Sequence, residues 1–222
     1  MPYTRLLPEV TISELTPRKR RFFLKYLARF LLLFESVKAK GSFLDSKRVI
    51  VTAAPHQSGK DEYLMILMIL ALDIEVCYLS AKWTMRRIPI PFIKPKDIDN
   101  QGIPWPLGWL QEIVFRKFGA IPVDRKGNSG QYDSVVQELL KRDNFLLIIT
   151  PEGRFDATRF RSSFLYLAKE LEAEVMPVQI DYEHDTLQFL ESLNLDGSEE
   201  EVIQRLRSCF DGIKGRKSRF KA

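Results

Sequence analysis

KRVIVTAAPHQSGKD, residues 47–61, decides how the chain reads. Val49, Ile50 and Val51 form a β-branched apolar run, broken at Pro55 by a polar loop that leads into the apolar segment DEYLMILMILAL. A short continuous apolar run predicts a buried strand from Lys47 to Ala53, and the segment behind it predicts a helix to about Leu72. A strand tip that feeds a helix is where α/β proteins concentrate their chemistry. His56, one of two histidines in the chain, falls in this loop, and Asp61 follows after four residues. An imidazole with a carboxylate to orient it is the arrangement of a general base.

The same alternation continues outward. Ile74 to Leu79, Ala120 to Val123, Phe145 to Thr150 and Val175 to Ile180 read as further strands, the last demoted to an edge or a bulge by Pro177. Helical periodicity fills Leu107 to Phe118, Gln131 to Lys141 and Phe164 to Leu171. A capping box, Ser198 with Glu201, opens a last helix that runs to about Phe210. The 222 residues therefore predict one α/β domain, a mostly parallel or mixed sheet flanked by helices, over residues 47–222. Residues 1–46 precede it as an N-terminal segment. Three of the strands stop at polar loops that hold His56 and Asp61, Asp124 and Arg125, or Glu152 and Arg154. If those strands are neighbours, the loops meet at one rim, with arginines suited to gripping an anionic group.

The N-terminal segment carries RKRRFFLKYLARFLLLFESVK from Arg18. On a helical wheel Arg18, Arg21, Lys25, Arg29 and Ser36 share a narrow face, and Phe22, Phe23, Tyr26, Leu27, Phe30, Leu33, Phe34 and Val37 cover the rest. Lys25 and Arg29 interrupt it, and its uncharged core falls far short of the roughly 20 apolar residues a transmembrane span needs. Two placements fit an amphipathic helix of this kind: flat in a membrane interface with the cations near anionic headgroups, or broad face down on the sheet.

A formal charge of +5 favours anionic partners. Hydrophobic content of 45% excludes a disordered chain. Cys77 and Cys209 have no metal-type or disulfide spacing and read as core thiols of a reducing compartment. With no cleavable signal pattern ahead of the basic cluster, a cytoplasmic location is expected. Ser58-Gly59-Lys60 fails as a nucleotide loop, since Ala54 and Asp61 stand where that motif needs Gly and Ser or Thr. Ser58 is not a hydrolase nucleophile, because Gly-x-Ser-x-Gly is absent. A metal site from His56, Asp61 and His184 lacks a further ligand. No motif for nucleic acid is present.

Taken together, the loops resemble the glycerolipid acyltransferase family typified by 1-acylglycerol-3-phosphate acyltransferase. APHQSGKD is similar to the APHTSNWDF block of a small bacterial branch; GAIPVDR (119–125), TPEGR (150–154) and VMPVQI (175–180) match the later blocks in order. PLGW before the second block and DGIKGR near the C-terminus also resemble that branch. The resemblance implies transfer of a fatty acyl group from a coenzyme A or acyl-carrier-protein thioester to the hydroxyl of a lysophospholipid, with lysophosphatidic acid as the default acceptor. It implies no cofactor beyond the thioester co-substrate and no metal. His56 would be the base and Asp61 its orienting partner. Arg125, with Gly119, Glu152, Gly153 and Arg154, would form the acceptor site, joined by Ser58 and Lys82. It also favours contact of residues 18–38 with an anionic membrane surface, on the cytoplasmic face. The chain departs from the family at Gly59-Lys60, at Ser163 and in the third block, where the Thr after Glu-Gly is missing. Those departures keep two alternatives open, a non-catalytic lipid-binding protein on the same scaffold and an acyltransferase for a non-glycerolipid acceptor.

Overall fold

The computed structural model describes residues 9–55, 59–88, 103–123, 130–152 and 160–215. In chain order the elements are β1 (Glu9–Thr11), α1 (Phe22–Leu32), β2 (Lys38–Ser42), β3 (Arg48–Ala54), α2 (Gly59–Ala71), β4 (Cys77–Ala81), a 3-10 turn (Lys82–Met85), β5 (Arg87–Ile88), β6 (Ile103–Pro104), α3 (Gly108–Lys117), β7 (Ala120–Val123), α4 (Gly130–Leu140), β8 (Phe145–Ile149), α5 (Ser163–Glu170), β9 (Glu174–Asp181), β10 (Thr186–Phe189) and α6 (Glu199–Ser208). Eight of the described strands form one sheet in the order β1-β2-β10-β9-β3-β8-β4-β7. β9, β3, β8, β4 and β7 run parallel, and β10 is antiparallel to β9. This is the α/β architecture the sequence predicts.

β3 has a neighbour on each edge and a core on each face. Val49, Val51 and Ala53 pack under α1 and α2 with Leu64, Met68, Met176 and Val178. Ile50 faces the opposite layer, where Leu147, Val175 and residues of α4, α5 and α6 meet. A strand buried on both sides needs apolar residues at consecutive positions, which is why the VIV run stands out in the sequence.

Three findings depart from the sequence expectations. Pro177 does not mark an edge or a bulge, since β9 pairs with β3 on one side and β10 on the other, with Thr52 opposite Pro177. The carbonyl of Pro177 accepts from the Leu190 N–H at 3.0 Å, one residue past the end of β10. The missing proline N–H therefore falls where that ladder has already ended. The second apolar run begins pairing three residues late, at Cys77, because Ile74 bridges instead to Arg18. Finally, β1, β2 and β10 join the sheet, although KAKGS carries little apolar pattern and the alternation of TLQF, which buries Leu187 and Phe189, is only four residues long. In β2, Ala39 is the buried residue.

α1 sits with its faces reversed relative to packing broad face down. Phe22, Phe23 and Phe34 are 79%, 74% and 74% exposed, and Tyr26, Leu27, Phe30 and Leu33 are exposed as well. The basic stripe points inward, onto the C-terminal end of α2. Arg29 Nε donates to the Ala71 carbonyl at 3.1 Å, Arg18 Nη1 to Leu72 at 3.0 Å and Arg21 Nη1 to Ile74 at 3.4 Å. Lys25 pairs with Asp73, and the Arg21 guanidinium lies 5.3 Å from the centroid of the Phe118 ring. A helix end leaves carbonyls without intrahelical partners and carries partial negative charge. α2 has no basic residue in its own last turn, so Lys25 and Arg29 of α1, with Arg18 and Arg21 just ahead of it, supply the cations. Burial depresses the Arg21 pKa, opposed by the charges of Glu75 and Asp73.

Arg29→Ala is expected to lower unfolding free energy by about 1 kcal/mol, whereas Phe22→Ser, on the outward face, leaves it unchanged. Urea denaturation of both variants checks this. Equal loss in the two would mean that the apolar face, not the basic one, holds α1.

Candidate functional site

Because β9, β3, β8, β4 and β7 are parallel, their C-terminal ends open to one rim. At roughly 5 Å per strand, the C-terminal end of β3 adjoins that of β8, and the C-terminal end of β7 lies about 14 Å from that of β3. The sheet order thus sets these strand ends along one rim.

Asp61 lies in the first turn of α2, and is 1% exposed. The Tyr182 hydroxyl, just beyond β9, donates to Asp61 Oδ1 at 2.6 Å. Glu152 follows β8 in a turn and is 9% exposed; the preceding carbonyl, of Pro151, accepts from the Arg161 N–H at 2.8 Å, which fixes the way out of the strand. Lys82 follows β4 at the same rim and is exposed. A buried acid in the first turn of α2, a second just after β8 and a cation just after β4 are the candidate groups among the described residues. His56, Ser58, Arg125, Gly153 and Arg154 lie outside the described residues.

Gly119 is not brought to this rim. It stands at the start of β7, the opposite end of the strand from residue 124, with φ of +92°. A Cβ there would come 1.9 Å from the Val76 carbonyl oxygen, and its own carbonyl accepts from the Tyr78 N–H at 3.1 Å. The glycine of this block therefore answers a close backbone approach between β4 and β7.

Lys60 pairs with Glu35 at 2.7 Å. It ties the first turn of α2 to the chain just after α1. His184, the other histidine, is exposed, with Nδ1 2.7 Å from Asp181 Oδ2. Burial alone would raise the Asp181 pKa, but the bonds from His184 and two backbone N–H groups hold it below its ordinary value; His184 is correspondingly raised. The described residues include no cluster of His, Cys, Asp and Glu able to hold a metal ion. Cys77 and Cys209 are free, and burial raises both thiols, away from a nucleophilic thiolate.

Sequence reasoning missed Tyr182. It follows the fourth block directly, and the signal for it was the sheet order that sets the end of β9 beside the end of β3. An acyltransferase family model matches residues 106–181. That stretch holds the second, third and fourth blocks and begins after His56 and Asp61. No curated protein matches the chain.

Gly119→Ala should cost about 3 kcal/mol of stability, from backbone strain together with the clash. Thermal melting checks it, and an unchanged midpoint would show the close approach to be dispensable.

Proposed function

We propose that this chain is an O-acyltransferase, a reading supported by the match of residues 106–181 to an acyltransferase family model. It takes a fatty acyl group from a coenzyme A or carrier-protein thioester and places it on the hydroxyl of a lysophospholipid, with lysophosphatidic acid the first acceptor to test. His56 removes the hydroxyl proton as the oxygen attacks the thioester carbonyl carbon. Asp61 orients the imidazole and favours its charged form. Collapse of the tetrahedral intermediate breaks the carbon–sulfur bond, and the leaving thiolate takes the proton back from His56. A thioester is reactive enough for this direct attack once the two substrates are held together, so no acyl-enzyme is required. Arg125 and Arg154 grip the acceptor phosphate, with Lys82 adding charge at the rim and Ser58, Glu152 and Gly153 shaping the acceptor site.

The observation that carries this reading is the buried Asp61 at the tip of the central parallel strands, since a carboxylate that is 1% exposed and tethered by a hydroxyl has an environment suited to a fixed partner. The reading also includes contact with a lipid surface through the outward face of α1. No described helix is long and apolar enough to cross a membrane. Phe22, Phe23, Tyr26, Phe30 and Phe34 nevertheless give it an exposed aromatic face suited to the interface. With Arg18, Arg21, Lys25 and Arg29 engaged on α2 and the loop after it, apolar insertion drives that contact more than headgroup charge does.

His56→Ala and Asp61→Asn are expected to lower transfer from palmitoyl-coenzyme A to lysophosphatidic acid by about a thousandfold; activity equal to wild type in either variant would sink the assigned pair. Replacing Phe22, Phe23 and Phe34 together by Ser should abolish cosedimentation with vesicles, and wild-type protein should bind neutral phosphatidylcholine vesicles nearly as well as vesicles containing phosphatidylglycerol. Binding confined to the anionic vesicles and lost in high salt would return the contact to headgroup charge. Vesicle binding with no turnover on a lysolipid panel or from either thioester would favour the non-catalytic alternative.

A further inference from the structure

We propose that Tyr182 is a positioning residue for acyl transfer, locking the Asp61 carboxylate through its phenolic O–H. The inference rests on the reading that Asp61 serves His56. Its own support is geometric. The hydroxyl donates to Asp61 Oδ1 at 2.6 Å, across 121 residues of sequence, and Asp61 is buried beneath it. A donor aimed at one carboxylate oxygen fixes the rotation of the group and leaves the other oxygen with a defined direction.

Tyr182 is itself anchored on three sides. Its ring packs against the core under α2. Its N–H donates to the Lys214 carbonyl at 3.0 Å, so the segment after α6 pins the backbone just past β9. Its neighbours in sequence are already engaged: Asp181 with His184, and Glu183 with Lys214 at 2.7 Å. Those pairs leave the hydroxyl as the group from this turn that reaches Asp61 in the described structure. The device is economical: β9 runs parallel to β3 with Gln179 opposite Ala54, so the residue three beyond that register point arrives beside the first turn of α2. An acid in the first turn of α2 receives a brace from just past the end of the neighbouring strand.

Tyr182→Phe removes the oxygen and keeps the ring, so packing survives. The chain has two histidines, and His184→Ala leaves one imidazole signal, which allows the His56 pKa to be followed by proton NMR independently of turnover. Without the phenol the Asp61 charge is less shared and draws the imidazolium more strongly. Tyr182→Phe should therefore raise the His56 pKa by about half a unit and shift the acid limb of the kcat profile the same way. kcat at the optimum should fall about tenfold with KM for lysophosphatidic acid unchanged. Site-specific 3-fluorotyrosine, a stronger donor of nearly the same shape, should move the His56 pKa down instead. A lower melting temperature with neither pKa nor kcat changed would overturn the proposal and leave Tyr182 a packing residue. Asp61→Asn distinguishes the underlying reading: if it leaves the His56 pKa where it was, the His–Asp pair fails, and the role of Tyr182 in catalysis falls with it.

Discussion

The parallel register of β3 between β9 and β8 is the constraint on which the remainder depends. Both edges of the strand are hydrogen bonded and both faces are buried, so its tip has almost no freedom relative to its neighbours. Every described group of the site is referenced to that tip. Glu152 comes from the neighbour on one side and Tyr182 from the neighbour on the other, while Asp61 begins the helix that β3 itself feeds. Burying a strand on both faces is costly in sequence, because it demands consecutive apolar residues. The return is positional precision at the point where charge must be placed accurately.

The second organising contact is between α1 and α2. A helix with a narrow cationic stripe and a wide aromatic side would be expected to hide the aromatics if the hydrophobic effect acted on it alone. Here a competing demand wins at the stripe. The end of α2 offers carbonyls with no intrahelical partner, and buried carbonyls left unpaired cost about 1–3 kcal/mol each. Arg18, Arg21 and Arg29 meet three carbonyls there and just beyond. Once they are spent in that way, geometry leaves the aromatic side facing out. The large exposed patch is therefore a consequence of how the helix is fastened, and the described residues leave it uncovered.

Much of the sheet was legible because doubly buried strands write themselves into the sequence as unbroken runs, as VIV and FLLII do. β2 and β10 were not, because each is short and a single strand of KAKGS buries one alanine well. Pro177 misled because the rule that confines proline to edges presumes that a ladder continues past it, and β10 stops one residue short. At the site, motif and spacing single out Asp61 and Glu152 as candidates, and the structure shows both to be buried. They do not single out Tyr182, since its relation to Asp61 is made by strand order and register across 121 residues, which no local pattern encodes. The orientation of α1 was illegible for a related reason. A wheel divides the faces of a helix but is silent on which face meets another helix's end.

Lys60 joins these two organising contacts. As an ion pair between partly exposed groups, Lys60 with Glu35 contributes at most about 1 kcal/mol, so its importance is where it sits. Arg21 lies by Ile74, Lys25 by Asp73, Arg29 by Ala71 and Glu35 by Lys60, an order that runs α1 antiparallel along α2 and fastens α2 at both ends. The first turn of α2 is also the turn that carries Asp61. A force that moved α1, such as its aromatic face settling into a lipid interface, would reach that turn through Lys60 and would be resisted there by the Tyr182 brace from β9. Lys60 is thus a charged tether between the exposed helix and the turn that carries the buried Asp61.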